Sequence, residues 1–388
     1  MNEWKEYTFS EFIQINPSVK LPKDKVVSFV EMKDLVDGRR FCIPSSERRN
    51  GSGSKFQEYD TLFARITPCL ENGKIAQAKG LKDGIGLGST EFLVFRGKPS
   101  ISDNNFVYYL SRWEEVRAHA EINLDGTSGR QRVPKECFND LKLILPTDLA
   151  EQRAIASILS SLDDKIDLLH RQNATLEKMA ETLFRQWFVE EAKEDWVRTK
   201  IGDVLDTVLG GTPSTKKPEY WDGNIPWINS GEVNNFRILQ CSRFITELGL
   251  KKSNTKLLPV GTTVLAITGA TLGQVSLLEI DTCANQSVVG IIPNGTLPKE
   301  FIFLWIKMKI SEIILSETGG AQPHINKNDI NETDIVIPDS DYLNKIKLTI
   351  EPLFKKITHN SFQIRTLTAL RDTLLPKLMS GEVRVVQD

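Results

Sequence analysis

The stretch Ile155–Trp187, IASILSSLDDKIDLLHRQNATLEKMAETLFRQW, decides the architecture. Ile155, Leu159, Leu162, Ile166, Leu169, Asn173, Leu176, Ala180, Leu183 and Trp187 advance in alternating steps of four and three. That is a 3.5-residue period, the seam of a coiled coil, and it predicts one long helix over residues 149–190. At 1.5 Å per residue such a helix is roughly 60 Å long. Shifted by 191 residues, the grid returns as Ile346, Ile350, Leu353, Ile357, Asn360, Ile364, Leu367, Arg371, Leu374 and Leu378. It predicts a second helix over residues 341–380, whose first turns Pro352 should kink or interrupt. Asn173, Asn360 and Arg371 are the polar members of the two seams. Buried there, they would set the alignment of the helices at a cost in stability; frayed or kinked helix ends would also account for them.

The repeat extends upstream of each helix. Trp4-Lys5-Glu6-Tyr7-Thr8-Phe9 matches Trp196-Val197-Arg198-Thr199-Lys200-Ile201. Asp60–Thr67, DTLFARIT, matches Gly261–Thr268, GTTVLAIT, and Leu143-Ile144-Leu145-Pro146 matches Ile335-Val336-Ile337-Pro338. A period of half the chain describes two copies of one domain-plus-helix unit rather than a solenoid. Before each helix the sequence is rich in Gly, Pro, Asn, Ser and Thr. It carries short β-like runs such as Thr90–Phe95, Val264–Ile267 and Ser287–Ile292, with helical patterns at 105–120 and 299–316. The expected fold is α+β, with globular domains over 1–148 and 196–339. The long helices occupy the regions 149–195 and 340–388. Packed antiparallel on each other, they make the molecule pseudo-two-fold, with one domain at each end of a rod.

Composition narrows the function. The chain has 388 residues, 49 Lys+Arg against 51 Asp+Glu, a net charge of -2 and 40% apolar residues. These values exclude a disordered tail, a collagen-like fibre and a histone-like basic binder. The longest strongly apolar run, Phe301–Ile306, is too short to cross a bilayer, and Met1–Glu6 lacks a signal-peptide core, so a cytoplasmic location is expected. Five scattered cysteines without CxxC spacing suggest neither a zinc site nor a disulfide framework. The four histidines have no ligand-spaced partners.

Catalytic signals are missing. No GxxxxGK[ST] phosphate loop and no NPPY or DPPY string of a methyltransferase occurs. Gly84-Ile85-Gly86-Leu87-Gly88 has the glycines of a nucleotide loop without the preceding strand and following helix, and reads as a flexible surface turn. Asp339 and Asp341, after Pro338, read as helix capping rather than a nuclease centre. The chain is therefore expected to be non-catalytic, without metal or cofactor of its own. Basic clusters lie on Gly/Ser/Asn-rich segments: Arg39, Arg40, Arg48, Arg49 and Lys55; Arg130, Arg132 and Lys135; Lys216 and Lys217; Lys251, Lys252 and Lys256. Such clusters suit phosphate contacts. Residues 149–195 instead hold ten acids against six bases.

Several strings resemble the specificity subunits of type I restriction–modification systems. Gly210-Gly211-Thr212-Pro213-Ser214 and Pro218–Ile228, PEYWDGNIPWI, look like the opening of a target-recognition domain. Ala266–Gly273, AITGATLG, and Asn285–Val289, NQSVV, resemble its later strands. Leu149–Ala156 with Leu183–Val189 is similar to the family's central conserved helix, and Leu370–Glu382 to its C-terminal one. The first recognition domain departs most, having neither a GGTP turn nor an IPWI string. The resemblance implies that each domain reads one half of a bipartite site on double-stranded DNA. The helices then act as a ruler for the unread spacer. It also implies two modification subunits carrying S-adenosylmethionine and restriction subunits using ATP, with no membrane contact. Candidate DNA contacts are placed on loops rather than strands: Arg48, Arg49 and Lys55; Thr127, Ser128, Arg130 and Arg132; Thr212, Lys216, Lys217, Trp221, Asn229, Ser230, Gln322 and His324. Trp221 and Trp227 read first as core residues. Gln322 and His324 match Arg130 and Arg132 when Pro338 is set on Pro146. The weak overall charge predicts weak DNA affinity for the lone chain. A divergent DNA methyltransferase and a non-catalytic coiled-coil scaffold are the competing readings.

Overall fold

The computed structural model describes residues 3–21, 25–49, 51–127, 129–234, 236–316 and 324–385. The periodic stretches form the helices they predict. The first long helix runs Leu149–Arg185 and ends in a π turn, Gln186–Glu190. The second, Glu351–Met379, is preceded by a short helix, Ser340–Lys345, and a π turn, Ile346–Ile350. The helical path runs unbroken from Ser340 through the π turn into Glu351, so Pro352 lies inside it and the expected interruption takes the form of the irregular turn immediately before the proline. Asp339 caps the short helix by accepting from the Asp341 and Tyr342 amides, so it serves as a cap. Ile155, Leu159, Ile166, Leu169, Ile346, Ile350, Ile357 and Leu378 are buried. Leu162, Leu176, Leu183, Leu353, Ile364, Leu367 and Leu374 are half-buried. The polar seam residues are buried, so their place is in the helix packing rather than at frayed ends.

The chain divides into two units, Met1–Leu168 with Ile364–Asp388, and Leu169–Gln363. The first has strands β1 (Trp4–Thr8), β2 (Ile13–Ile15), β3 (Val26–Val30), β4 (Phe41–Cys42), β5 (Ser46–Arg49) and β6 (Ser54–Gln57). They are followed by β7 (Thr61–Ala64), β8 (Ile75–Ala78), β9 (Ile85–Gly88), β10 (Phe92–Gly97) and β11 (Lys142–Pro146). A five-stranded sheet has the order β2-β10-β7-β8-β4, a four-stranded one β5-β3-β9-β6, and β1 pairs with β11. Phe9, Phe63, Phe95, Phe106 and Phe138 form one core with Ile155 and Leu159 of the first long helix and Leu378 and Met379 of the second. Domain and helix pair thus share a single apolar interior within this unit.

A buried polar lock sits beside that core. The Arg371 guanidinium, 2% exposed, pairs with Asp163, 4% exposed, at 2.7 Å. Asp163 also accepts from the Tyr109 hydroxyl at 2.7 Å, and Arg371 donates to the Gly38 carbonyl at 3.0 Å. Glu151 of the first helix accepts from Arg384 beyond the second and from the Trp4 indole. Residue numbers rise on one helix as they fall on the other, so the helices run antiparallel here.

The second unit repeats the plan. Its strands are β12 (Val197–Lys200), β13 (Asp206–Leu209), β14 (Trp221–Ile228), β15 (Arg237–Ile238) and β16 (Arg243–Ile245). Then come β17 (Thr263–Ala266), β18 (Val275–Leu278), β19 (Cys283–Ala284), β20 (Val288–Ile292) and β21 (Asp334–Ile337). The five-stranded order β13-β20-β17-β18-β15, the β12–β21 pair and a three-stranded β16-β14-β19 sheet mirror the first unit. Asn360 donates to Asn173 at 2.9 Å and Asn173 to Ser361 at 3.3 Å, holding the two helices in register. Arg237 on β15 is buried on Glu279 at 2.9 Å and donates to Thr358 of the second long helix. Burial lowers its pKa to about 10, against the opposing pull of Glu279 and other carboxylates. Glu279 and Thr358 are themselves hydrogen-bonded at 2.7 Å.

The pairing corrects one element of the repeat. Thr61 opposes Gln77 and Phe95, while Thr263 opposes Leu277 and Ile291. Thr61 therefore corresponds to Thr263, not to Thr262 as the DTLFARIT match has it. The match slips by one residue, which would turn every side chain to the wrong sheet face. The Gly84–Gly88 glycines also differ from expectation. Ile85–Gly88 is an inner strand, and a Cβ at Gly86 would meet the Phe56 ring at 2.4 Å, so the run is packed rather than a flexible turn.

Arg371→Met should destabilise the protein by about 3–5 kcal/mol, because it leaves Asp163 buried without a counter-charge. Asp163→Leu with Arg371→Met should recover most of that loss. Denaturant unfolding checks this; a single variant within about 1 kcal/mol of the parent would contradict the lock.

Candidate nucleic-acid interface

In the first unit, Arg48 and Arg49 lie on edge strand β5 and Lys55 on the opposite edge strand β6. All three are exposed, but they stand on strands, which corrects their placement on loops. Val27 opposes Arg48 and Leu87 opposes Lys55, so Arg48 and Lys55 share the face that carries the small Val27, Phe29 and Leu87 cluster. Arg49 points to the other face. The Arg48 guanidinium carbon lies 3.6 Å from the Phe29 ring centroid. Ser54, next to Lys55, donates to the Phe92 carbonyl, and the adjoining Glu91 holds Arg132 through three contacts of 2.8–3.0 Å. The strand that carries Lys55 is therefore tied through Ser54 to the segment that clamps the loop closed by Asp125 and Arg132. Arg132 stands on the loop's closing bridge with Asp125; its fork is filled by Glu91, so it works as a clamp for the loop. Thr127 and Arg130 are exposed at the tip, where the Arg130 amide donates to the Thr127 carbonyl. Ser128 lies outside the described residues.

In the second unit the GGTPS turn lines an open cleft of about 750 Å³ with Lys217, Tyr220, Lys252, Asn254 and Gln286. The glycines are a steric requirement. A Cβ on Gly210 would lie 2.1 Å from the Asn285 carbonyl oxygen, and one on Gly211 2.6 Å from the Thr255 nitrogen. The tryptophans pin this turn. The Trp227 indole donates to the Gly211 carbonyl at 3.1 Å and the Trp221 indole to the Ser214 carbonyl at 3.2 Å. Both rings are buried and meet edge to face. Trp221 is thus a core residue whose ring is closed to base stacking, a correction to its place among the DNA contacts. Thr212 is exposed and hydrogen-bonds Gln286. Lys216 is exposed. The Lys217 ammonium donates to the Tyr220 hydroxyl at 3.1 Å, which raises its pKa.

Asn229 is spent on local structure. It caps the Ser230–Glu232 turn by accepting from the Gly231 amide, and its own amide donates to Glu232. Ser230 is half-buried in that turn. Gln322 lies outside the described residues. His324 is exposed and precedes Ile325, whose amide donates to Ile267 as Val133 donates to Arg65, so His324 corresponds to Arg132. Two residues of the surface went unselected. Lys252 belongs to a cluster visible in the sequence. Arg243 has no sequence signal, because its place depends on the pairing of β16 with β14.

Among the described residues no group of three or more His, Cys, Asp or Glu is arranged to hold a metal ion, and no helix is long and apolar enough to cross a membrane. The model of the type I restriction modification DNA specificity domain matches residues 50–178 and again residues 193–367. The chain belongs to this family. Its function is that of a type I restriction–modification specificity subunit, with DNA target recognition as the expected role, and not that of a methyltransferase or a mere scaffold. It is 27% identical to the MjaIX specificity subunit of Methanocaldococcus jannaschii, over 73% of this chain and 69% of that one. It is 23% identical to the HindI specificity subunit of Haemophilus influenzae, over 99% and 100% of the two chains. The crystal structure of the S subunit from M. genitalium shares the fold, with a TM-score of 0.55 at 16% identity over 97% of this chain and 96% of that one.

For this specificity-family chain, Gly210→Ala should push the turn from the Asn285 backbone and cost about 1–3 kcal/mol. DNA affinity of the assembled complex should fall with it. Unchanged unfolding and binding would contradict the close-approach account of the GGTPS motif.

Proposed function

We propose that each recognition domain reads one half of a bipartite site on double-stranded DNA and that the chain itself carries no catalytic centre. The observation that supports this is the duplicated sheet plan with different side chains on the two outer surfaces. Arg48, Lys55, Thr127 and Arg130 face solvent in the first unit; Thr212, Lys216, Lys217 and Lys252 do so in the second. Cations and hydroxyls of this kind bond phosphates and base edges. Ser128, Gln322 and His324 remain candidate contacts.

The long helices set the unread spacer and dock two modification subunits, with restriction subunits joining the complex. S-adenosylmethionine and ATP are bound by those partners, in the cytoplasm. The exposed helix residues Ile158, Leu168, Met179 and Leu370 are apolar surface available to a partner, and the acid excess of 149–195 keeps this region away from DNA phosphates.

Exchanging residues 196–339 for the second domain of another family member should change one half of the methylated sequence only. A change in both halves would defeat the two-reader account. Inserting one heptad into each long helix, after Leu168 and after Gln363, adds about 10 Å of helix and should widen the spacer by about three base pairs. An unchanged spacer would contradict the ruler.

A further inference from the structure

Each unit carries a second, smaller sheet with the same pairing: β5-β3-β9 in the first and β16-β14-β19 in the second, antiparallel then parallel. Phe29 and Trp227 occupy equivalent places, opposing Leu87 and Cys283 on the parallel strand. Both belong to small apolar clusters on one sheet face. In both units an exposed arginine from the antiparallel edge strand lies on the aromatic of that cluster. Arg48 is 3.6 Å from the Phe29 centroid; Arg243 is 3.9 Å from that of Trp221 and 5.7 Å from that of Trp227. The two reach the same site from different positions. Arg243 directly opposes Trp227, whereas Ser46 opposes Phe29 and Arg48 stands two residues further on. Strand register alone does not produce the coincidence.

Stacking uses the face of a guanidinium and leaves its edges free, while fixing its plane. The edges of the other well-held arginines are taken: Arg132 by Glu91, Arg371 by Asp163, Arg237 by Glu279 and Arg96 by Asp60. Arg243 has no carboxylate within ion-pair distance among the described residues, and Arg48 has only Glu31 at 3.8 Å. Arg243 also lies on the tryptophans that pin the GGTPS turn, and that turn lines the cleft bearing Lys217 and Lys252. A planar fork held in place on a ring is suited to paired acceptors on a polyanion.

We propose that Arg243 and Arg48 are equivalent, pre-oriented bidentate contacts of the second and first readers. Each presents two parallel N–H donors to paired acceptors on the duplex, either O6 and N7 of one guanine or two oxygens of one phosphate. The inference rests on the two-reader function above and assigns it specific side chains.

The test uses the complex of the full chain with its modification subunits and measures methylation of a randomised site library over a salt series. Arg243→Ala should lower methylation of the preferred site about tenfold, and any change in base preference should fall only in the half read by the second domain. Arg48→Ala should do the same for the other half. Relaxed preference at one base position identifies the guanine contact. A uniform loss with the salt slope reduced by about one identifies the phosphate contact. Arg243→Lys keeps the charge on the ring without the fork and should stay well below the parent. Should Arg243→Ala fail to assemble, Arg243→Lys decides alone. Unchanged rates and preferences in Arg243→Ala, or full activity in Arg243→Lys, would overturn the proposal. A parent complex without sequence preference would overturn the two-reader function instead.

Discussion

The buried pairing of Arg371 with Asp163 joins both long helices and the globular domain of the first unit at one point. Removing two charges from water is costly unless each finds close, complementary partners. Here Asp163 lies on the first long helix, Arg371 on the second, and their remaining bonds go to Tyr109 and the Gly38 carbonyl of the globular domain. Burial alone would lower the Arg371 pKa; Asp163 and Asp372 raise it instead, so the charge is retained inside the structure. A slip of either helix by one residue would strand both ions. The second unit solves the same problem with other residues. Asn173 and Asn360 align its helices, and Arg237, Glu279 and Thr358 tie its sheet to the second helix. In both units a polar group that an apolar seam would not select fixes one arrangement of domain on helix.

Around these locks the two halves are the same construction with different surfaces. The five-stranded sheets share an order, and the main cores draw on the same elements. What differs is the outer layer: an added strand, β6, in the first unit, and a GGTPS turn pinned by two tryptophans in the second. Divergent loops and edges on a shared core are what allow one scaffold to read two unrelated sequences, because groove readout depends on a few side chains rather than on the fold.

Much of the fold was legible in the sequence for a physical reason. A 3.5-residue period sustained from Ile155 to Trp187 has few structural alternatives, and its return at Ile346 revealed the repeat. Asp163 was not legible, since it stands one position off the seam and its partner is 208 residues away. The DTLFARIT match slipped by one because short apolar strands look alike in adjacent registers; hydrogen bonding decides between them. The candidate surface was legible in part. Exposed lysines and arginines could be found by composition, but Arg132 is occupied by Glu91 and Asn229 by a helical turn. Arg243 emerges only when β16 is laid beside β14. Trp221 illustrates the opposite case, a motif residue that holds a turn from beneath.

One chain is proposed to carry two readers, each specifying one half of a bipartite site. Sequencing the methylome of cells carrying this chain with its modification partner tests this most directly. The account predicts an asymmetric motif of two specified halves divided by a spacer of constant length and unspecified sequence. A single continuous motif, or methylation without sequence preference, would contradict it.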